Sequence, residues 1–547
     1  MIDQVRVRIE LDNGEHRMIA VSRNFAGSLV AELAAHGLPL NTRCGGRGLC
    51  RGCEVGLLDG AVTVDRNAVT APAIVQACQL SLTGDVIVNL PARSRLEHRP
   101  QVGETFEITV PYAHLPLFTP VAGKQDTAFA VDVGTTTVVV LLVDLATGDV
   151  LSRAGAFNEQ IRFGDNVVTR IDAAREPGNL AAMQRAVVME TIQPLLVLAC
   201  ERAGRSMARI AGGVIAGNTT MLHLLCGVDP TPLGIAPFTP RFIEGRMVTA
   251  GEVMLAADGL APETPLQLLP GIGAYIGADI LAGIVASGMV FDSTPSLLVD
   301  IGTNGEIVLQ QGGRLTACAT AAGPAFEGCG LSCGTRARHG ALSSLRFNSD
   351  PFDLITTTIG DLPLARATGI CGSAYVDFLA SARRGGLLHE NGRFVNSVWD
   401  SLPAANRLAD DGRRALRLAD SNGSGALCVS EVDVALLLQA KAAIGAGIEI
   451  LLDAAGIRAG DLGRIYLAGG FGMHLDVAHA IAIGLLPGCQ AEQVRVVGNT
   501  ALAGALLVLV DRTTLEEMER LRTQVAVVEL NLVAGFEDHY TEHLLLP

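Results

Sequence analysis

Hydrophobic and polar residues alternate from the start of the chain. Val5, Val7 and Ile9 predict a strand, and after the turn Leu11-Asp12-Asn13-Gly14 the run His16 to Val21 predicts its return. Ser28 to Ala35 reads as a helix ended by Gly37 and Pro39. Val55 to Val64 predicts a hairpin around Asp59-Gly60, and Asp85 to Leu90 a closing strand. Two strands, a helix, a loop and further strands predict a β-grasp unit over residues 1–94. Pro91 to Pro120 carries five prolines and many polar residues. Residues 95–125 therefore read as a linker that would let the first unit swing.

From residue 126 the pattern becomes Gly- and Val-rich and repeats itself. Ala128 to Val133, Gly134-Thr135-Thr136-Thr137, then Val138 to Val143 is strand, tight turn, strand. Leu297 to Ile301, Gly302-Thr303-Asn304-Gly305-Glu306, then Ile307 to Leu309 is the same device 168 residues later. Arg464 to Gly472 supplies a third strand and turn, and amphipathic helices are expected at Ala181–Arg202 and Val432–Ala455. A pattern duplicated at long period predicts two similar α/β lobes facing one another.

At 547 residues the chain exceeds one core and predicts several domains; 49% hydrophobic content with 62 Gly fits packed α/β structure rich in turns. A formal charge of −15 argues against nucleic acid or an anionic membrane as partner. Ala501 to Val510, the most apolar run, is too short to cross a bilayer, and the alternating N-terminus does not read as a signal peptide. Of 12 cysteines, those outside one loop mostly sit in apolar runs such as Val197-Leu198-Ala199-Cys200, as reduced thiols of a cytoplasmic protein would.

That loop reads RCGGRGLCRGCEV. Cys44, Cys50 and Cys53, with Cys78 further on, have the spacing C-x5-C-x2-C-x24-C. Four thiolates so spaced suit a [2Fe–2S] cluster, which plant-type ferredoxins hold with C-x4-C-x2-C and a distant fourth Cys. Gly45, Gly46, Gly48 and Gly52 permit the positive φ and close backbone approach that turn N–H groups toward sulfur. Structural zinc normally uses two short cysteine pairs, and only one is present.

Asp-x-Gly-Thr between two strands also has a chemical purpose. Such a turn offers backbone N–H groups and Thr hydroxyls to phosphate, glycine permits close approach, and the Asp can hold Mg²⁺ directly or through water. Two turns on opposed lobes would clamp one nucleotide, with Asp132, Gly134, Thr135 and Thr136 on one side and Asp300, Gly302, Thr303 and Asn304 on the other. A Gly469-Gly470 turn suits the flat face of a nucleoside. Gly217, Asn218 and Thr219, at a strand-to-helix turn, either add N–H groups or simply cap a helix. Glu306 and Glu327 are weak candidates for positioning water, against a solvated or capping role.

DVGTTT, DIGTNGE and AGGFG, in that order, resemble the phosphate-1, phosphate-2 and adenosine motifs of the acetate and sugar kinase, heat-shock chaperone and actin superfamily (ASKHA). With a [2Fe–2S] domain in front, the chain resembles the ATP-dependent reductive activators of corrinoid proteins. The runs Asn158 to Ile171, Ala216 to Pro230, Ala236 to Pro240, Thr320 to Gly328 and Gly369 to Asp377 extend that likeness over nearly the whole chain. The resemblance implies a ferredoxin-like domain and duplicated RNase H-like lobes. The first lobe would begin with a middle domain at 126–206 and continue through 207–290; the second would span 291–547. It implies ATP, Mg²⁺ and a [2Fe–2S] cluster as cofactors, and one-electron reduction of inactive Co(II) to Co(I) in a corrinoid methyl carrier. It further implies an upstream donor such as a ferredoxin, flavodoxin or reductase, and a homodimer. Two other readings stand beside it: an electron-transfer protein whose lobes only dock a partner, and a small-molecule kinase with an iron–sulfur sensor.

Other polar signals read as structural. Cys318, Cys329, Cys333 and Cys371 have small apolar neighbours and fit buried thiols better than a second metal site. His223 fits a hydrogen-bonded core histidine, while Arg413, Arg414 and Arg417 fit a solvated face. Trp399 carries no functional signal, Lys441 is a surface or nucleotide-edge lysine on an otherwise core helix, and His474 could face nucleotide or partner.

Overall fold

The computed structural model describes residues 4–11, 15–22, 28–40, 48, 53–64, 67–91, 94–95, 105–108, 110–410, 413–421 and 425–547. Cys44 and Cys50 lie outside them.

The N-terminal strands are β1 (Gln4–Leu11), β2 (His16–Ser22), β3 (Glu54–Asp59), β4 (Ala61–Val64), β5 (Asn67–Thr70), β6 (Ala73–Gln76), β7 (Leu80–Leu82) and β8 (Val86–Leu90). Five of them make a sheet in the order β2-β1-β8-β3-β6, with β1 and β8 parallel and the helix Leu29–Ala35 between β2 and β3. This is β-grasp topology. Val7, Ile9, Leu33, Val55 and Val88 fill its core, because alternate residues of each strand face the helix. The closing strand forms and lies in the centre of the sheet, beside β1, and one expectation changes. The Asp59-Gly60 hairpin is not formed: β3 pairs with β6 and β8, while β4 pairs with β5 and β7 in a second sheet. Gly60, at φ 92, is where the chain passes from one sheet to the other.

The first lobe contains β9 (Thr127–Val133), β10 (Thr137–Asp144), β11 (Val150–Phe157), β12 (Ile210–Gly217), β13 (Arg246–Thr249) and β14 (Pro265–Leu268), in the order β11-β10-β9-β12-β14-β13. In the second, β15 (Ser296–Ile301), β16 (Gly305–Gln311) and β17 (Arg314–Thr320) are followed by two three-stranded sheets. These are β18 (Ala341–Ser349), β19 (Phe352–Thr358) and β20 (Gly369–Ile370), then β21 (Arg407–Asp410), β22 (Arg413–Ser421) and β23 (Gly425–Ser430). The strands β24 (Arg464–Ala468), β25 (Val494–Gly498) and β26 (Val525–Val527) complete the lobe sheet as β25-β24-β15-β16-β17-β26. Each lobe sheet thus opens with three antiparallel strands, then adds strands parallel to the first: β12 beside β9, β24 beside β15. Both Asp-x-Gly turns therefore leave equivalent corners of equivalent sheets. Burial on both faces explains the near-continuous apolar runs of β9, β10 and β15.

Two further readings change. Ala181–Arg202 is not one α-helix: Asn179–Val187 and Gln193–Ala203 flank a π-helical stretch, Val188–Ile192, where Pro194 follows. Among the described residues, one helix, Glu431–Ala455, is long and apolar enough to cross a membrane, and most of it is buried in the second lobe. The described part of the linker is docked rather than loose. Glu107 N donates to Val497 O at 3.2 Å, Leu117 N donates to Leu509 O at 3.0 Å, and Phe118 is buried in the first lobe's core.

Candidate functional site

The two turns converge on one cavity of about 510 Å³ between the lobes. Gly134 N donates to Thr137 O at 3.0 Å and closes the first turn; Gly302 N donates to Asn304 O at 2.9 Å and closes the second. Thr135, Thr136, Thr303 and Asn304 line the cavity with the two glycines. Beneath the first turn lies Arg170, fully buried, whose guanidinium donates to the carbonyls of Thr135 and Gly164 and to Gln160 Oε1. Burial lowers its pKa to about 9, so a hidden cation fixes the orientation of the Thr135 peptide.

The floor is acidic. Asp132 and Asp300 are the penultimate residues of β9 and β15, Asp279 stands in the first turn of the helix Ala278–Ser287, and Glu306 is the cross-strand partner of Asp300. Burial first, then mutual repulsion, raises Asp300 and Asp279 to about 7; burial alone raises Asp132 to about 6, against a hydrogen bond from Asn499. Glu306 is also held well above the usual range, by burial and then by the charges of Asp279 and Asp300. Carboxylates crowded in this way suit a hard divalent cation, which takes oxygen ligands and relieves their repulsion. The donor set therefore fits Mg²⁺.

Gly469 and Gly470 line the same cavity but have different constraints. Gly469 has φ 87, and a Cβ there would stand 2.6 Å from Asp300 Oδ1 and 2.8 Å from Ile301 O. At Gly470 a Cβ would meet nothing within 4 Å. Phe471 stacks on Phe326 at 5.3 Å, and His474 also reaches the cavity.

The Gly217–Thr219 group divides. Asn218 reaches the cavity, capping its helix through Oδ1 to Met221 N and donating from Nδ2 to Thr135 Oγ1 at 3.0 Å. Thr219 turns away, donating to Gly273 O at 2.7 Å, and Gly217 packs against Val133 O without lining the cavity. Glu327 is not solvated. Its two oxygens accept from Thr136 Oγ1 at 2.8 Å and Thr303 Oγ1 at 2.6 Å, so one carboxylate joins both turns.

Three of the cavity's charged and amide side chains escaped the sequence reading: Asp279, Asn499 and Arg336. The available signal for Asp279 was a lone carboxylate inside the apolar run Ile276-Gly277-Ala278-Asp279-Ile280-Leu281. Asn499 had the look of an ordinary cap before an apolar helix, and Arg336 had no signal.

In the N-terminal domain, Cys53 is buried and in side-chain contact with Cys78. That contact, helped by Gln79 and the Gly48 backbone, lowers the Cys78 thiol to about 6 against the opposing effect of burial. Gly48 itself has φ 73. Two thiols meeting beside a backbone donor fit cluster ligation as far as the described residues reach.

The remaining polar signals are structural. His223 bonds Thr219 O at 2.7 Å through Nδ1 and accepts from Arg241 N at 3.0 Å. Burial pushes the Cys318 and Cys371 thiols up to about 12, which leaves them protonated and inert. Lys441 is neither a surface nor a cleft-lining lysine: it is buried in the core and donates to Leu545 O at 2.6 Å. Arg414 is not on a solvated face. It bonds Glu431 at 2.8 Å and lies 5.7 Å from the ring of Trp399, which itself stacks on Phe394.

The duplicated sheet, the paired turns and a separate thiol-bearing β-grasp domain define a two-lobed ASKHA-type chain with a ferredoxin-like front. Residues 294–547 match the family described as the C-terminal, ASKHA domain of RACo, and residues 127–292 match the RACo middle region. The chain is 30% identical to the corrinoid activation enzyme RamQ of Eubacterium limosum, over 89% of this chain and 90% of that protein. It is 25% identical to the [Co(II) methylated amine-specific corrinoid protein] reductase of Methanosarcina barkeri, over 74% of each. Among solved structures, a reductive activator for a corrinoid, iron–sulfur protein superposes with a TM-score of 0.71, at 28% identity over 99% of this chain and 98% of that one. The chain belongs to the family of reductive activators of corrinoid proteins.

Proposed function

We propose that this enzyme reduces the inactive Co(II) form of a corrinoid methyl-carrier protein to Co(I) by one electron, at the expense of ATP. The observation that carries the reading is the pairing of two opposed phosphate-type turns over a carboxylate floor with a distinct domain in which Cys53 and Cys78 meet. Cys44, Cys50, Cys53 and Cys78 would hold a [2Fe–2S] cluster, which supplies reversible one-electron chemistry. Asp132, Asp279 and Asp300 would hold Mg²⁺, and Thr135, Thr136, Thr303, Asn304 and Asn218 would receive phosphate oxygens. Gly470 leaves room for the nucleoside.

ATP can favour reduction only by stabilising a state of the protein that binds its partner differently. The two turns lie on separate lobes, so a polyphosphate bound to both sets their separation. The partner is a corrinoid protein, and a ferredoxin, flavodoxin or reductase would supply the electron. A second copy of the chain would complete a homodimer.

Two variants separate the roles. In an anaerobic assay of Co(I) absorbance, Cys53→Ala is expected to lose both the cluster spectrum and all reduction. Asp300→Ala is expected to retain the spectrum and lose the ATP-dependent part. Wild-type performance by both variants would contradict the assignment. Phosphorylation of a small acceptor without corrinoid protein would favour a kinase with an iron–sulfur sensor.

A further inference from the structure

Five carboxylates line the described cleft, Asp132, Asp279, Asp300, Glu306 and Glu327, against one guanidinium, Arg336. The Arg336 side chain is only 10% exposed, and its Nε and Nη2 are buried without a hydrogen-bond partner. Buried N–H groups of a charged side chain are costly to leave unpaired, and native structures rarely do so. Glu327 and Asp165 are the carboxylates whose charge acts on it, and Nε stands 3.9 Å from Glu327 Oε2, within ion-pair range but beyond hydrogen-bond reach. The guanidinium also lies 5.5 Å from the ring of Phe157 in the first lobe.

The loop that carries both charges is folded back on itself. A Cβ on Gly328 would lie 2.3 Å from Thr335 O, and one on Gly334 would lie 2.2 Å from Gly328 O. Only glycine allows this approach, which sets the Glu327 arm against the Arg336 arm. Two hydroxyl donors from the two turns, Thr136 and Thr303, thus hold one carboxylate, and the Arg336 guanidinium stands beside it within ion-pair range. A terminal phosphate presents the same kind of acceptor oxygens, with more charge, and a planar guanidinium matches it in two-point geometry.

We propose that Arg336 and Glu327 form a sensor for the third phosphate of the nucleotide. The terminal phosphate of ATP takes the Thr136 and Thr303 hydroxyls from Glu327 and engages the unpaired N–H groups of Arg336; ADP, one phosphate shorter, leaves Glu327 in place. The inference rests on the cleft being the nucleotide site. It adds the group that tells ATP from ADP, and it makes the bond between Thr136 and Glu327 the cross-lobe link that the nucleotide exchanges.

The test is calorimetric titration of the full chain with Mg-ADP and with a non-hydrolysable Mg-ATP analogue. Arg336→Ala is expected to weaken the analogue by roughly tenfold or more and ADP by less than about twofold. Arg336→Lys, which keeps the charge but loses the fork, is expected to fall between Ala and wild type. Glu327→Gln is expected to tighten the analogue and leave ADP unchanged, because the phosphate no longer displaces a negative charge. Circular dichroism melting confirms that each variant is folded. If wild type and Arg336→Ala discriminate the two nucleotides equally, the sensor is overturned while the nucleotide site stands. If wild type binds neither nucleotide, the reading of the cleft falls and the sensor with it.

Discussion

Asn499 donates from Nδ2 to Asp132 Oδ2 at 2.8 Å while its Oδ1 accepts from Leu502 N at 2.9 Å. One side chain therefore caps the helix Thr500–Val510 and steadies a carboxylate on the opposite lobe, 367 residues away. Asn499→Ala removes both bonds, and loss of the cap alone costs about 1 kcal/mol. Asn499→Ser can still cap but is too short for Asp132. Thermal melting is expected to show recovered stability in Ser relative to Ala, while Mg-nucleotide titration shows weakened binding in both. Full binding by Ser would mean that the bond to Asp132 has no role in the site.

The adjoining glycines separate backbone need from space. Gly469→Ala meets Asp300 and Ile301 at a positive φ, a conformation that costs a residue with a Cβ on the order of 1 kcal/mol before any clash is counted. It is expected to lower the melting temperature and abolish nucleotide binding. Gly470→Ala meets open space, so its melting temperature should match wild type and only nucleotide affinity should change. Equal destabilisation by the two would contradict the packing described.

Metal binding at the acidic floor should depend on pH in a set direction. Asp132 titrates at about 6 and Asp279 and Asp300 at about 7, all raised chiefly by burial. Below these values the carboxylates are protonated and a divalent cation must expel the protons; above them it need not. Affinity for Mn²⁺ as a probe should therefore rise from pH 6 to about 8 and then level off. Calorimetry in buffers of different ionisation heat should register proton release near pH 6.5 and little at pH 8.5. Asp300→Asn should flatten the profile.

A second pH effect concerns stability and lies away from the cleft. Burial lowers Lys441 from 10.5 to about 8. Between these values the unfolded chain holds a proton that the folded chain has released, so folding becomes more favourable as pH rises through the window; below about 8 the burial penalty is present in full. Relative to Lys441→Met, wild type should gain up to about 3 kcal/mol between pH 8 and the ordinary lysine range. Urea midpoints across that range measure it. A constant difference would show that the ammonium is not desolvated.

The parts of this molecule visible in sequence are those whose geometry is local. Asp132-Val133-Gly134-Thr135 and Asp300-Ile301-Gly302-Thr303 each encode a whole turn in consecutive residues, so the phosphate-type corners and the duplicated sheet could be read directly. The β-grasp core was visible through strand alternation, but the central place of β8 was not, because parallel pairing with β1 joins segments about 80 residues apart. What stayed hidden depends on long-range contact. Asp279 sits in an apolar helix that gives no sign of facing two other carboxylates, and Arg414 reads as a surface charge until Glu431 and the Trp399 ring close over it. The coupling of Thr136 and Thr303 through Glu327 spans both lobes, which no local pattern can announce.

The most direct measurement follows cobalt itself. Reduced protein and a Co(II) corrinoid protein are mixed without oxygen, with and without Mg-ATP, while the Co(I) absorption band and the Co(II) paramagnetic signal are recorded together. The account predicts that Co(I) appears and Co(II) declines in step when ATP is added, with little change in its absence. Equal rates with and without nucleotide, or ATP turnover that leaves Co(II) untouched, would contradict it.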